Sequence, residues 1–387
     1  MLFLNLEIFG IGLLINWLIN SLFLEEDYNM FYKNSIINFW IVVLVILLYL
    51  MILSVQINYK NSLNLLFIVL LYLIIVSDLV VFFLFYEIVF ILIMFVIVLL
   101  GYRYERLIAA FLMLFYSFLF SRPVLIILII FDYSFLIKEW LMYSILIKYF
   151  FVGSFMVKFP IFGFHYWLPV AHVEASTIGS ILLAGILLKL GSIGLLYVIM
   201  YMNFIIKFHW ISLGVVLLIL IILNLRDLKI IIAYSSVAHI RIVFYVIILG
   251  FEVGKKGSIY IIFYHGFLSP LIFWVVGILA WWKTRSLIVI KIISFSYLFV
   301  LVLFFMFILN IGFPPFLGFL SEVIIIKSIY ILPLIIYIII FGVLFSCYYN
   351  IYLFWCFNRF IGIVFKNNYF GIDLFLFILW AIWLNFY

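Results

Sequence analysis

Long apolar runs, cut at intervals by a charge, a proline or a glycine, organise this chain from end to end. About 20 apolar residues in helical form cross a bilayer. Cutting at the punctuation gives about thirteen segments, which begin near Leu2, Ile36, Leu63, Ser77, Leu107, Trp140, Thr177, His209, Leu228, Ser258, Ile292, Ile331 and Phe370. The stretch from Leu63 to Leu100 is too long for one crossing and divides in two. Lipid admits only helices and closed barrels, and runs of this length without alternation are helices. The fold class is therefore all-α, a polytopic membrane protein. The longest polar interruptions, Glu25-Glu26-Asp27 through Lys33-Asn34 and Glu252 through Lys256, read as loops. No linker or low-complexity tract marks a soluble domain.

Two segments depart from the pattern. VGSFMVKFPIFGFHYWLP, Val152 to Pro169, carries Lys158, Pro160, Gly163, His165 and Pro169. LNIGFPPFLGFLSE, Leu309 to Glu322, carries Gly312, Pro314, Pro315, Gly318 and Glu322. Proline removes a helical hydrogen bond and clashes with the preceding turn, so both helices are expected to break. Freed backbone at membrane depth is tolerated only where protein or a wet cavity surrounds it. A pair of interrupted helices in corresponding halves points to an inverted-repeat transport site.

Composition narrows the class. The chain of 387 residues is 71% hydrophobic, 22% aromatic and 9% charged, with a mean hydropathy of +1.50. Soluble domains carry about 25% charged residues, and surface-to-volume scaling leaves a soluble chain no room to hide this excess. Cys347 and Cys356 are too few for an iron–sulfur site or a disulfide framework and read as core fillers. No glycine-rich nucleotide-binding string occurs. The net charge is +7 with scattered cations, which fits loop ends at an anionic membrane face and not a nucleic-acid patch. Abundant Phe (48) and Tyr (27), with Ile, Leu, Asn and Lys, reflect A/T-rich codons, the usage of an organellar genome. The N-terminus has neither a basic n-region nor an Arg/Ser-rich transit segment, as expected of a chain made on the membrane where it works.

Ionisable groups inside the apolar runs carry the chemistry. They are Glu87, Lys158, Lys189, His239, His265 and Glu322. A charge at the centre of a membrane helix costs about 2.5–3.5 kcal/mol on the insertion scale, so six such positions call for a use. Ser154 stands four residues from Lys158, Ser235 four from His239, and Ser269 four from His265, spacings that put a hydroxyl on the same helix face. Each group also has a plainer reading. A buried histidine can be a hydrogen-bonded core residue, Glu87 can pair with a neighbouring helix for packing alone, and a lysine can snorkel. Lys189 lies some twelve residues into its run, too deep to snorkel easily. Lys, His and Glu all bind and release protons, and burial moves their affinities toward one another. Metal transport fits less well, because the histidines are separated and no Cys/Met cluster appears. Glu105, Arg106, Lys207, Arg226, Asp227, Lys283 and Arg285 flank segments and read as solvated ends.

FMVKFPIFGFHYWLPVAHVEASTIGSILLAGILLKLGSIG, Phe155 to Gly194, resembles the central signature of the subunit 4 family of NADH:ubiquinone oxidoreductase, respiratory complex I. SDLVVFFLFYE (Ser77 to Glu87), DLKIIIAYSSVAHI (Asp227 to Ile240), YHGFLSPLIF (Tyr264 to Phe273) and FPPFLGFLSE (Phe313 to Glu322) extend the resemblance in the same order. The resemblance implies two inverted five-helix repeats, each with a broken helix, as in cation/proton antiporters. In that frame residues 1–62 are N-terminal transmembrane helices, 63–205 and 206–356 the two antiporter-like repeats, and 357–387 a C-terminal transmembrane helix. Glu87 and Lys158 would form a pair in which the acid tunes the lysine. Lys189, His239 and His265 would form a central axis, and Glu322 the terminal exchange group. Sister subunits usually place Lys where Glu322 stands, and one sister continues into a lateral helix, whereas this chain stops at Tyr387.

Three departures from the family are visible. Ser176 stands where the family has Pro, Arg241 replaces a small residue close to His239, and Arg122-Pro123 falls where Gly and Ser are found. The N-terminal third is short by about one helix, which a separate chain is expected to supply. The resemblance implies a proton-translocating membrane-arm subunit in the mitochondrial inner membrane, organelle-encoded, neighboured by other antiporter-like subunits and by lipids. It implies no cofactor and no metal in this chain; FMN, iron–sulfur clusters, NADH and ubiquinone belong to other subunits. The alternatives are a stand-alone cation/proton antiporter and a non-pumping structural subunit, with a membrane-embedded transferase more remote.

Overall fold

The computed structural model describes residues 41–46, 48–49, 52, 60–76, 79–101, 104–130, 145–161, 163–202, 210–281, 297–314, 316–330 and 333–358. The expected segments at Leu2 and Phe370, the missing N-terminal helix, Pro315, Lys207, Lys283 and Arg285 lie outside them. The described elements are helical. In chain order they are α1 (Lys60–Ile75), α2 (Leu79–Leu100), α3 (Arg106–Ile130), α4 (Ile145–Lys158), α5 (Trp167–Glu174) and α6 (Thr177–Leu182). A π-helical turn, Leu183–Leu187, leads straight into α7 (Leu188–Met202). They are followed by α8 (Trp210–Asn224), α9 (Leu228–Leu249), α10 (Glu252–Trp281), α11 (Tyr297–Ile311), α12 (Leu317–Ile329) and α13 (Pro333–Asn358). The chain divides into two compact units, residues 1–92 and 93–387.

Six helices among the described residues are long and apolar enough to cross a membrane. Their surroundings differ. The window in Thr177–Ile199 is 100% buried within the protein, whereas those in Arg106–Ile127 and Ile336–Cys356 are only 28% buried. An all-round apolar helix belongs in such an interior position. The fully enclosed helix is the one that carries Lys189, where protein and not lipid surrounds the charge.

Both expected breaks are present. The first separates α4 from α5 and turns at Gly163, whose φ of 100° suits a residue without a side chain. The second separates α11 from α12 and turns at Gly312, with φ of 73°. Pro160 is buried just beyond α4, and Pro314 stands in the second gap. A helix end inside a membrane protein needs partners for its last carbonyls. Trp167 supplies one, its indole Nε1 donating to Val157 O at 2.9 Å. Lys229 supplies another from α9, donating to Ala175 O at 2.9 Å beyond the end of α5, where a cation also suits the helix dipole.

One sequence expectation changes, and one departure from the family gains a role. Glu252 through Lys256 is not a loop but the first turn of α10, which begins just after Gly250 ends α9 with a left-handed residue. Glu252 sits in that first turn and pairs with Lys255 at 2.8 Å. Ser176, foreign to the family pattern, is the N-cap of α6: its Oγ accepts from Gly179 N at 3.3 Å. The hydroxyl satisfies one of the donors that the helix start leaves open.

Within the second unit α10 packs on α9, α12 and the α6–π-turn helix, α5 packs on α3 and α9, and α13 packs on α8 and α11. Close approach relies on small residues, as is common between membrane helices. A Cβ on Gly257 would stand 2.9 Å from Ile325 Cγ1 and 3.3 Å from Ser321 O, and one on Gly318 would stand 2.7 Å from Tyr264. Gly257→Ala is therefore expected to cost about 1–3 kcal/mol by overpacking. Gly153→Ala in α4 meets nothing closer than Phe120 at 3.6 Å and should be neutral to stabilising by up to about 1 kcal/mol. Thermal unfolding in detergent compares the two. In the same assay Ser176→Ala is expected to lose about 1 kcal/mol with the cap.

Candidate functional site

The centre of the site is built by one irregular turn. Leu183–Leu187 is wound as a π-helix, a local widening that recurs at functional positions. Lys189 follows Ala184 by five residues, and its Nζ donates to the Ala184 carbonyl. The same ammonium donates to Ser269 Oγ at 3.3 Å and meets His265 Nδ1 at 3.1 Å, both on α10. Ser269 in turn bonds His265 O at 2.7 Å and reaches Ala184 O at 3.4 Å. Lys189 is 5% exposed and His265 7%. Two helices thus close a buried polar knot around one ammonium.

The next histidine is near. The His239 and His265 rings lie 5.8 Å apart at 47°, a separation that one water can bridge. His239 projects from α9 and is half-buried. Three of the six predicted groups, Lys189, His265 and His239, are therefore brought together, with Ser269 among them. Lys158 is completely buried at the end of α4, beside the first break. Glu87 is buried on α2, next to the enclosed Tyr86. Glu322 is half-buried on α12, past the second break, where a Cβ added to Gly312 would come 3.6 Å from its Oε2. The first break thus follows a lysine and the second precedes a glutamate.

The neighbouring hydroxyls behave differently from their spacing. Ser154 donates to Phe151 O at 2.7 Å and Ser235 to Ile232 O at 2.8 Å, each returning its proton to the preceding helical turn. A serine inside a helix finds that carbonyl closer than the side chain one turn on. Ser269 makes the same backward bond but also accepts from Lys189 on another helix.

Two polar residues at the site, His172 and Lys229, were not singled out by sequence, and Arg241 was noted there only as a departure close to His239. His172, within the quoted AHVEAS string, is fully buried and stacked on Phe273 at 4.3 Å and 3°. Lys229 is buried and tied to Ala175. Arg241 is fully buried and donates to Gly214 O on α8. It lies on a different face of α9 from His239, the face that meets the first break: Tyr234 contacts the His165 ring at 5.9 Å, and Phe244 contacts Phe159 at 5.9 Å. The DLK string at residues 227–229 and the unusual arginine were the available signals.

Comparison with known proteins agrees with this architecture. Residues 76–347 match the family described as NADH:quinone oxidoreductase/Mrp antiporter, TM. NADH-ubiquinone oxidoreductase chain 4 of Ascaris suum is 33% identical over 273 residues, covering 66% of this chain and 65% of that protein. The chain thus matches just under two thirds of that relative's length. A chain of respiratory complex I from Thermus thermophilus superposes with a TM-score of 0.72 at 18% identity, covering 92% of this chain and 79% of its own. A chain of the Mrp complex from Dietzia sp. superposes with a TM-score of 0.74 at 16% identity, covering 88% and 68%. The match spans most of the chain and includes both breaks and the Lys189–His265 knot, so the chain belongs to the NADH:quinone oxidoreductase/Mrp antiporter family of transmembrane proteins.

Proposed function

We propose that this chain is a proton-translocating membrane-arm subunit of respiratory complex I, working in the mitochondrial inner membrane beside other antiporter-like subunits. Electron transfer from NADH to ubiquinone, with FMN and iron–sulfur clusters, takes place in those other parts of the complex. Within this chain protons pass along Glu87, Lys158, Lys189, His239, His265 and Glu322. The carrying observation is the contact of Lys189 Nζ with His265 Nδ1 inside a helix wholly enclosed by protein. Such a contact needs one proton donor and one acceptor, so the pair exchanges a proton only by rearranging. The naming of the Ascaris suum relative as chain 4 of NADH-ubiquinone oxidoreductase supports the assignment to that complex.

Glu87 and Lys158 serve as the loading pair, in which movement of the acid's partners changes the lysine's hold on its proton. Glu322, next to the second break, serves as the group that hands the proton out. Ser154, Ser235 and Ser269 line the route, and Pro160 and Pro314 keep the two helices open.

The second reading is a cation/proton antiporter independent of NADH oxidation, favoured by the inclusion of Mrp antiporters in the matching family. Co-migration of the chain with a large NADH-oxidising assembly on a native gel supports the first reading, and migration apart from any such activity supports the second. Lys189→Met and Lys158→Met are each expected to leave assembly intact and to cut NADH-driven proton uptake into vesicles by at least about tenfold. Undiminished uptake in both variants would leave only a structural role for the chain.

A further inference from the structure

A polar cluster that the route above does not use lies between α9, α11 and α13. Asn310, near the end of α11, donates through Nδ2 to Tyr349 Oη at 3.1 Å and to Asn350 Oδ1 at 2.9 Å. Asn350 is fully buried and donates to Ser346 O at 2.8 Å. Tyr349 and Ser235 of α9 line one cavity. Membrane helices gain little from burying two amides and a phenol unless these hold something in place.

Beside this cluster is a cavity of about 20 Å³, measured over the positions open to a water-sized sphere. Its lining includes Ser235, Ala238, His239, Ser346 and Tyr349. That volume admits one water, and Ser235, His239, Ser346 and Tyr349 bring polar groups to a lining otherwise made of apolar side chains such as Ile219, Ile242 and Phe345. On the far side, Asn310 lies two residues before Gly312, where an added Cβ would come 3.6 Å from Glu322 Oε2. The cluster therefore lies between the cavity beside His239 and the end of α11 that leads into the second break.

Building on the pump reading above, we infer that Tyr349 is a proton-relay residue between His239 and Glu322, held in register by Asn310 and Asn350 and linked to His239 by a water in this cavity. The step is a concerted exchange. An imidazolium at His239 gives its proton to the cavity water, which passes one of its own to Tyr349 Oη. The Tyr349 O–H proton leaves on the other side, through water, to the Glu322 carboxylate. One O–H bond forms on the tyrosine as another breaks, the imidazolium becomes imidazole, and the carboxylate becomes a carboxylic acid. The amides of Asn310 and Asn350 relay no proton; one Asn310 amide hydrogen holds the phenol oxygen and the other ties Asn310 to Asn350.

The test uses the assembled complex in proteoliposomes, with NADH-driven proton uptake read by a pH-sensitive dye and assembly read as in-gel NADH oxidation. Tyr349→Phe removes only the hydroxyl. Ala238→Val fills the cavity and keeps the tyrosine. Lys189→Met is the reference. The relay predicts that both Tyr349→Phe and Ala238→Val lower the uptake rate by at least about tenfold, with KM for the quinone unchanged and the assembled amount retained. A merely structural role would lower the amount of complex and leave uptake per complex constant, which overturns the relay. Normal uptake in Tyr349→Phe with none in Lys189→Met also overturns it, and leaves the pump reading standing. Normal uptake in both overturns the two together. If Tyr349→Phe fails to assemble, Ala238→Val decides alone.

Discussion

Everything in this protein is arranged around the cost of holding a lysine inside a bilayer. An ammonium at the centre of a lone helix costs about 2.5–3.5 kcal/mol on the insertion scale. The fold meets that cost locally. Lys189 lies on a helix enclosed by other helices, and the π-turn beneath it turns the Ala184 carbonyl toward its Nζ. Ser269 and His265 come from α10 to fill the remaining directions. A regular α-helix would keep the Ala184 carbonyl in the backbone ladder, so the irregular turn and the buried charge belong together.

The two breaks follow the same logic at the backbone level. Each pivots on a left-handed glycine, Gly163 or Gly312, and each stands next to a titratable side chain. The open ends find partners: Trp167 takes the Val157 carbonyl, and Lys229 takes the Ala175 carbonyl at the end of α5. Lys229 is thus a cation bound to a helix terminus, while Lys189 faces a titratable imidazole. Two buried lysines of similar exposure serve different ends, and the partner atom distinguishes them.

Much of this was legible in the sequence because lipid simplifies the rules. Apolar run length marked the starts of α1 through α3, α6, α8, α9 and α13 to within a few residues but set those of α10 and α11 five or six residues off, and Pro with Gly marked both breaks. The six ionisable positions stood out against an apolar background. What could not be read depends on which helices touch. Asn310 and Tyr349 are 39 residues apart, and no spacing rule joins them. Hydroxyl direction escaped for the opposite reason: Ser154 and Ser235 had attractive neighbours at i+4, but their own turn offered a nearer acceptor. The start of α10 was hidden because a cluster of charges at a helix N-terminus looks like a loop until Glu252 and Lys255 are seen to pair along the helix. The role of Ser176 became clear only once α6 was seen to begin at the next residue.

The Lys189–His265 contact also limits how the site can work. At 3.1 Å one nitrogen donates and the other accepts, so a charged Lys189 requires the His265 proton to sit on Nε2, facing away. Protonating His265 as well would place two cations at that distance, a repulsion of about 5 kcal/mol at an effective dielectric of 20. Moving one charge against 100 mV takes about 2.3 kcal/mol. Under the pump reading, a proton arriving at His265 therefore weakens the hold of Lys189 on its own by an amount comparable to the membrane potential's pull on one charge. The Ala184 carbonyl and Ser269 hydroxyl remain as acceptors on the lysine side, which holds the ammonium against small disturbances. Release then requires a real second charge, and the ring of His239, 5.8 Å from His265, is placed to supply or withdraw it.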